Sequence, residues 1–470
     1  MTSYFERMSQ IAETANYIPN ERYTEHSVKR GLRNEDGSGV LVGLTTIANV
    51  IGYSKDEAGV VHPIEGQLRY RGMEIRQIVE DVEKIGRFGF EETAYLLLFG
   101  DEPNESQRQE FIETMAGMRV LPDNFARDVL QTFRTGNIMN ALARSVLTLY
   151  SIDDKADDLD LPNQLRQAME LIARLPVLVP YAHHVIQHSI HRKSLIVHRP
   201  DPTLSTAENF LMLLRPNKEF TETEASLLDL ALLLHADHGG GNNSTFVTRA
   251  VSSTMTDFYS AIGAAIGSLK GPLHGGANLQ VVRMMEDMKN TVKNPHSRDE
   301  VRDYLFKLLN KQAYDGAGKI YGMGHAVYTY SDPRAIILRE RARKLAQEND
   351  REGELAMYEL VEQEAPKVFQ EFRKNPKAII SANVDFYSGF VYESMNIPRD
   401  LFTPLFAMGR MVGWAAHRIE MLSNPVKIMR PAYASVCQYC RNVRVCDDEC
   451  RFIEAGGLPK YERTDRLKGQ

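Results

Sequence analysis

The sequence predicts an all-α protein with a small β-hairpin near its N-terminus and a cysteine-containing tail at its C-terminus. Between about residues 73 and 234, apolar residues recur three and four positions apart, which is the spacing of amphipathic helices. Two β-branched stretches, residues 40–51 and 60–70, precede that region and flank a turn with Gly, Asp and Lys. Such a pair is typical of a hairpin. All four cysteines follow residue 436.

The composition limits the class of protein. The 470 residues are 43% hydrophobic and 25% charged, which is ordinary for a soluble globular protein. A net charge of −6 argues against a nucleic-acid partner, while it allows a local basic pocket. No run approaches the ~18 apolar residues that span a bilayer, and residues 1–20 resemble neither a secretory signal nor a transit peptide. We therefore expect a cytoplasmic protein that does not associate with membranes.

A glycine-rich stretch, Gly-Pro-Leu-His-Gly-Gly-Ala-Asn at residues 271–278, joins two predicted helices. The incoming segment, residues 260–270, is apolar and ends at Pro272, because proline lacks an N–H and disfavours a helical residue before it. The outgoing segment, residues 277–289, has helical spacing. His274 is therefore expected at a helix N-terminus, where the dipole disfavours an imidazolium. A neutral histidine that donates a hydrogen bond is the predicted result.

A second histidine follows a leucine-rich helix. Thr221 and Glu224 predict a capping box at the start of this helix, and the glycines at residues 239–241 predict its end. This arrangement leaves His238 on an exposed turn. Residues 242–245, Asn-Asn-Ser-Thr, are suited to cap the next helix.

Two further candidates stand at the ends of predicted helices. His325 directly follows a glycine-spaced loop, residues 316–324. Asp332 and Pro333 then suit the N-cap and first position of a helix that carries Arg334. Asp385 stands near the beginning of a later helix, where the dipole favours a carboxylate.

Arg410 lies in the middle of a long apolar stretch, residues 401–422. A buried guanidinium without an anion costs several kcal/mol, so something negative is expected to face it. Two partners are open: an internal Asp or Glu, and a bound carboxylate held bidentately.

Three loop histidines, one carboxylate and three arginines form the candidate site: His238, His274, His325, Asp385, Arg334, Arg410 and Arg430. A metal site built from the histidines and the carboxylate is an alternative, but helix ends with glycines suit anions better. No serine or cysteine has the flanking glycines of a nucleophile. These residues indicate acid–base chemistry on a polyanionic small molecule.

Five motifs together resemble the citrate synthase family, in the order and spacing of that family. They are Gly-Pro-Leu-His-Gly at 271–275, Gly-Met-Gly-His at 322–325 with Asp-Pro-Arg at 332–334, Asn-Val-Asp at 383–385, residues 406–413, and Arg-Pro at 430–431. Each motif alone is weak, whereas five in register are specific. The resemblance covers about residues 66–433.

The resemblance implies a two-domain helical fold. Residues 1–275 and 383–433 would form a large domain, residues 276–382 a small domain, and residues 434–470 an additional tail. It also implies a homodimer with a shared active site.

The resemblance further implies an enzyme that condenses acetyl-CoA with oxaloacetate and water to give citrate and CoA, with no cofactor beyond the acyl-CoA. Asp385 would remove a methyl proton, His274 would bind the thioester oxygen, and His325 would polarise the oxaloacetate carbonyl. The resulting citryl-CoA would then be hydrolysed.

The remaining site residues would bind the substrates. His238, Arg334, Arg410 and the partner subunit's Arg430 would hold the carboxylates of oxaloacetate. The loop residues Gly322, Met323 and Gly324 would bind the CoA moiety.

Two other functions stay open at this point. A 2-methylcitrate synthase would use propionyl-CoA and differs by room for one methyl group, which is worth only ~1 to 3 kcal/mol of discrimination. A catalytically silent relative would bind metabolites and act through the cysteine tail.

The chain departs from the family in two places. Many relatives carry a basic residue, able to meet a CoA phosphate, where this chain has Thr329; Lys319 or an arginine elsewhere would compensate. The tail carries four cysteines close together, Cys437, Cys440, Cys446 and Cys450. Four nearby thiolates suit a structural zinc or iron–sulfur site, although their spacing is not that of a standard zinc knuckle; buried or free thiols and disulfides are the alternatives.

Overall fold

The computed structural model describes residues 3–34, 37–57, 60–132 and 134–434. Residues 42–429 form one compact unit, and residues 1–41 belong with residues 430–470 to a second. The four tail cysteines lie outside the described residues. The predicted boundaries of the small domain, at residues 276 and 382, fall within the larger unit and stay a prediction.

The second unit begins with two short helices. In helix α1 (Tyr4–Asn16) a capping box joins Ser3 and Glu6, and helix α2 (Asn20–Glu25) follows. An isolated β-bridge pairs Arg33 with Gly39.

The larger unit begins with a three-stranded antiparallel sheet. Strand β1 (Ala48–Lys55) pairs with β2 (Val61–Tyr70), and β2 pairs with the short β3 (Met73–Glu74). The predicted hairpin is confirmed, but its first strand begins at Ala48 rather than at residue 40. The preceding segment is held elsewhere, because the Thr46 backbone N–H donates to Glu420 over 2.6 Å.

Helices make up nearly all of the rest, as the apolar periodicity predicts. In chain order they are α3 (Ile75–Ile85), α4 (Phe90–Phe99), α5 (Glu105–Met118), α6 (Ile138–Tyr150), α7 (Leu161–Ser189), α8 (Thr206–Leu214), α9 (Glu222–His235), α10 (Asn243–Ser252), α11 (Phe258–Leu269), α12 (Ala277–Thr291), α13 (Arg298–Leu309), α14 (Pro333–Glu348), α15 (Glu352–Arg373), α16 (Val384–Ser394) and α17 (Phe402–Leu422). The predicted all-α class is confirmed.

Helix α17 forms the centre of the core. It packs against α4, α7, α9, α10 and α11, and nearly every residue as far as Ile419 is buried. A helix that is apolar on all sides is stable only when neighbours cover it completely. The site described below is built where α9 ends against α17.

Candidate active site

The end of α9 lies directly against α17 because α17 has glycines at the contact. A Cβ atom on Gly409 would come within 2.7 Å of the Leu232 carbonyl oxygen, and one on Gly413 would overlap Ala236 and Asp237. The Gly413 N–H donates to the Ala236 carbonyl over 3.0 Å. This close approach brings the end of α9 within hydrogen-bonding reach of Arg410.

His238 is buried, which corrects the expectation of an exposed turn. The chain does turn at Gly239, which has a φ of +75°, and the Asp237 carboxylate accepts the Gly239 N–H over 2.8 Å. The buried Tyr70 hydroxyl also accepts the Asp237 N–H, over 3.2 Å. The turn is therefore folded inward. Burial, followed by the charge of Arg334, holds the pKa of His238 well below its usual range.

His274 lies in the turn that precedes α12. Its backbone N–H donates to the Gly271 carbonyl over 2.9 Å, and the Gly275 N–H donates to Leu269 over 3.0 Å. The Thr403 hydroxyl on α17 binds the Gly275 carbonyl over 2.8 Å. The loop is thus anchored to both α11 and α17.

The His274 ring is neutral, as predicted, although the cause differs. Burial, followed by the charge of Arg410, lowers the pKa of His274 to about 4. The ring lies before the first turn of α12 rather than on it. Loss of water and the nearby guanidinium, more than the helix dipole, therefore keep the His274 ring neutral.

Ser244 sets the tautomer of His274. The Ser244 backbone N–H donates to His274 Nε2 over 3.3 Å, and the Ser244 hydroxyl lies 3.0 Å from the same nitrogen. Since Nε2 accepts, the proton of the neutral ring is on Nδ1. The same hydroxyl accepts the indole N–H of Trp414 over 3.1 Å. Residues 242–245 were predicted to cap α10 through their side chains; Asn242 is the N-cap but makes no such bond.

The histidine of the glycine-spaced loop is also held as one tautomer. His325 Nδ1 accepts the backbone N–H groups of Val327 and Tyr328 over 3.0 and 3.1 Å. The proton of this ring is therefore on Nε2. The ring stacks on Tyr328 at 4.7 Å between centroids and meets the edge of His238 at 5.0 Å.

The glycine loop ties His325 to the start of α16. The Gly324 N–H donates to Ser381 over 2.7 Å, and the Asn383 N–H donates to Gly322 over 2.9 Å. Gly322 has a φ of +75°, and a Cβ atom there would come within 2.8 Å of the Phe386 ring. Met323 forms a bridge with Ala382. These contacts link the position of His325 to that of Asp385.

Asp385 lies in the first turn of α16, which Asn383 caps by accepting the Asp385 N–H over 3.0 Å. Burial raises the pKa of the Asp385 carboxyl to about 6, against the opposing charges of Arg334 and Arg410. Loss of water therefore outweighs both the guanidinium groups and the helix N-terminus. A carboxylate with such a pKa is ionised at pH 7 and is a stronger base than an exposed aspartate.

Arg334 is buried and has an internal partner. Its Nε and one terminal nitrogen donate to the two oxygens of Asp332, over 3.0 and 2.7 Å. Asp332 is also the predicted N-cap of α14, with Pro333 at the first position of the helix. Its carboxylate accepts the Val384 N–H as well, over 3.2 Å, so it joins the starts of α14 and α16.

Arg410 differs from Arg334. Its Nε donates to the His235 carbonyl over 2.7 Å, while neither terminal nitrogen has a hydrogen-bond partner among the described residues. Burial lowers the pKa of Arg410 to about 10. The charge of Asp237 partly offsets this shift, and the charge of Arg334 adds to it. Asp237 is therefore a negative charge near Arg410, as one of the two predictions required, while a bound carboxylate stays a prediction.

The structure brings six of the seven predicted residues together. Arg410 interacts electrostatically with His238, His274, Arg334 and Asp385, and His325 joins them through His238. Arg430 is exposed and belongs to the other unit, so its predicted role stays a prediction.

Sequence reasoning missed several residues of the site, among them Ser244 and the two tyrosines. Tyr70 binds the backbone beside His238, and Tyr328 stacks on His325. Two glycines that face Tyr328 were a usable signal. A Cβ atom on Gly52 or Gly66 of the hairpin would overlap the backbone at residues 327 and 331. A glycine within a strand marks a bulge or a closely packed neighbour, and Gly52 has both, because the pairing of β1 with β2 shifts there.

This arrangement is of the class suited to acid–base catalysis on an anionic substrate. It combines one carboxylate of raised pKa, neutral histidines of defined tautomer and a buried arginine with two nitrogens that no described residue binds. No helix in the described part of the chain is long and apolar enough to cross a membrane.

The comparison with known families specifies the class further. The model of the citrate synthase C-terminal domain matches residues 37–432. The citrate synthase of Synechocystis sp. is 39% identical over 80% of this chain and 87% of its own length. That of Haloferax volcanii is 35% identical over 78% of this chain and 88% of its own. The chain belongs to the citrate synthase family of condensing enzymes.

Solved structures of citrate synthases support the same family assignment. The citrate synthase of Pyrobaculum aerophilum superposes with a TM-score of 0.69 at 30% identity, covering 87% of this chain and 92% of that one. The citrate synthase of Thermoplasma acidophilum, solved as a ternary complex with carboxymethyl coenzyme A and oxaloacetate, superposes with a TM-score of 0.70 at 26% identity, covering 90% of this chain and 99% of that one.

Proposed function

We propose that this enzyme condenses acetyl-CoA with oxaloacetate and water to give citrate and CoA. The observation that carries the proposal is the convergence of Asp385, whose pKa is raised to about 6, with a neutral His274 and with the terminal nitrogens of Arg410, which no described residue binds. The relatives named citrate synthase support the same reaction.

The first step is removal of a methyl proton from acetyl-CoA by Asp385. Such a proton is weakly acidic, so the carboxylate succeeds only if the developing oxyanion is stabilised at the same time. His274 supplies a neutral donor, because Ser244 occupies Nε2 and leaves the proton on Nδ1. Because the His274 ring is neutral, it stabilises the enolate oxygen by a hydrogen bond and does not protonate the Asp385 carboxylate.

The second step is attack of the enol carbon on the carbonyl carbon of oxaloacetate. His325 carries its proton on Nε2, since Nδ1 accepts two backbone N–H groups. This proton can be donated to the carbonyl oxygen as negative charge develops there. Arg410 and His238 would hold the carboxylates, with Arg334 fixed beside them by Asp332.

The third step is hydrolysis of citryl-CoA, in which water adds to the thioester carbonyl, the C–S bond breaks and the thiol leaves with a proton. His274 and His238 lie in the predicted large domain, whereas His325 and Arg334 lie in the predicted small one. Movement of residues 276–382 toward the rest would exclude bulk water before the thioester is attacked.

The test is release of CoA thiol by the purified chain. We expect thiol release from acetyl-CoA only when oxaloacetate is present, with one citrate formed for each thiol. Propionyl-CoA should give a lower kcat/KM than acetyl-CoA; the reverse order would favour 2-methylcitrate synthesis. No thiol release from either acyl-CoA would favour the catalytically silent relative.

A shared active site in a homodimer has its own test. Asp385→Asn and Arg430→Leu should each inactivate the enzyme. If Arg430 serves the partner's site, refolding an equal mixture of the two variants restores one intact site in each heterodimer, about a quarter of the activity of the unaltered enzyme. No recovery from a mixture shown to contain heterodimers would contradict the shared site.

A further inference from the structure

His235 is a buried histidine with no assigned role. It is the last residue of α9, its side chain is completely buried, and neither ring nitrogen has a hydrogen-bond partner among the described residues. A neutral imidazole always carries one N–H donor and one acceptor. Leaving such groups unpaired in a protein interior is costly, so a ring in this state is informative.

The surroundings of the ring point toward the substrate site. The His235 ring packs on Phe406 at 4.5 Å between centroids, and the same Phe406 ring contacts the Arg410 guanidinium at 4.7 Å. His274 meets Phe406 at 6.3 Å. Three polar groups of the site thus border one aromatic ring.

The backbone of His235 adds a direct connection. Its carbonyl accepts the Nε–H of Arg410 over 2.7 Å, so the same residue that carries the unpaired ring also holds the guanidinium in place. Burial, followed by the charges of Arg334 and Arg410, holds the pKa of His235 well below its usual range. The ring is therefore neutral and can donate one N–H without adding charge.

We propose that His235 is a further substrate-binding residue, whose ring N–H donates to the oxaloacetate carboxylate held by Arg410. The proposal deepens the proposed function and rests on it. A neutral donor beside a guanidinium gives the carboxylate a third hydrogen bond at no cost in charge. It also explains why a polar ring is retained where an apolar side chain would pack on Phe406.

The decisive variant is His235→Leu. Because the ring makes no hydrogen bond within the described residues, an apolar side chain of similar size should not lower the Tm of the unliganded protein. Loss of one hydrogen bond to a charged group should raise the Kd for oxaloacetate about ten- to a hundredfold. The KM for acetyl-CoA should change little.

Two variants serve as controls. His235→Gln keeps a donor and should recover at least part of the oxaloacetate affinity. His184→Leu removes another buried histidine, whose Nε2 lies 3.0 Å from the Leu213 carbonyl. It should lower the Tm while the Kd for oxaloacetate is unchanged.

Binding can be followed through the fluorescence of Trp414, the one tryptophan in the sequence, which is bonded to Ser244 at the site. A His235→Leu protein that binds oxaloacetate within twofold of the unaltered chain would overturn the proposal. Equal loss of affinity in the Leu and Gln variants would also overturn it, because shape rather than hydrogen bonding would then be responsible. Failure of the unaltered chain to bind oxaloacetate would refute the proposed function itself.

Discussion

Two arginines on α17, Arg410 and Arg418, lie two turns apart, and both are completely buried. Burial lowers the pKa of each to about 10. Their partners differ. Arg418 donates to Gln164, Ser252 and Thr256 over 2.6 to 3.0 Å, so all of its nitrogens are bonded. Arg410 has only its Nε bonded within the described residues.

The difference separates a structural charge from a functional one. At the Arg418 end, neutral acceptors replace the lost water, and the guanidinium joins α17 to α7 and α10. At the Arg410 end, two guanidinium nitrogens have no partner among the described residues. Such unpaired groups lower stability and are typical of binding sites. We call the surroundings of Arg410 the open end of α17 and those of Arg418 the closed end. Substitutions at the open end should reduce activity, and substitutions at the closed end should reduce stability.

The strongest test of the open end is Asp385→Asn. We expect kcat to fall by ~10⁴-fold, the upper end of what a general base contributes. Since burial disfavours the ionised carboxylate, the variant should have an equal or higher Tm at pH 8, and it should still bind oxaloacetate. Thiol-release kinetics and thermal unfolding measure the two effects. A variant that keeps its kcat would rule out Asp385 as the base.

The two arginines themselves form the next test. Arg410→Met should raise the KM for oxaloacetate by about 10²- to 10³-fold, because two charge-assisted hydrogen bonds are lost. Its Tm should fall less than that of Arg418→Met, because only the His235 carbonyl loses a donor while a buried charge is removed. Arg418→Met should leave kcat/KM nearly unchanged but lower the free energy of unfolding by ~3 kcal/mol, since buried acceptors lose their donor. The comparison fails if both variants lose mainly stability.

The pH dependence of the open end is a smaller effect. Asp385 acts as a base only when ionised, and its pKa is about 6. The kcat/KM for acetyl-CoA should therefore fall tenfold for each pH unit below about 6. His274, with a pKa of about 4, stays neutral over that range and should add no second decrease above pH 5. A profile that stays level down to pH 5 would contradict this assignment.

Local patterns predicted much of the fold and of the site. Helices, the hairpin and the caps at Thr221 and Asp332 depend on neighbouring residues, so periodicity and capping signals revealed them. Arg410 was recognised because a charge in an apolar helix demands a partner. The resemblance to the family then related segments that are far apart in sequence.

What could not be predicted depends on contacts between distant segments. His238 looked exposed because the glycines after it suggest a surface turn, yet Tyr70 of the hairpin folds that turn inward. Ser244 looked like a capping residue, whereas it binds a histidine on another loop. The low pKa of His274 likewise depends on burial and on Arg410.

The smallest effect compares two serines on α10. Ser244 contacts His274 and Trp414, whereas Ser252 accepts a hydrogen bond from Arg418. Ser244→Ala should lower kcat by about tenfold at most, because the backbone N–H at residue 244 still holds Nε2 and keeps the proton on Nδ1. The emission of Trp414 should change, since its indole N–H loses an acceptor.

Ser252→Ala is the matched control on the same helix. It should lower the free energy of unfolding by ~1 to 2 kcal/mol, because one donor of the buried Arg418 loses its acceptor. Its kcat should stay within twofold of that of the unaltered enzyme. If Ser252→Ala reduced kcat as much as Ser244→Ala does, separate roles in activity and in stability could not be assigned to the two ends of α17. The hydrogen bond between Ser244 and His274 would then contribute through packing alone.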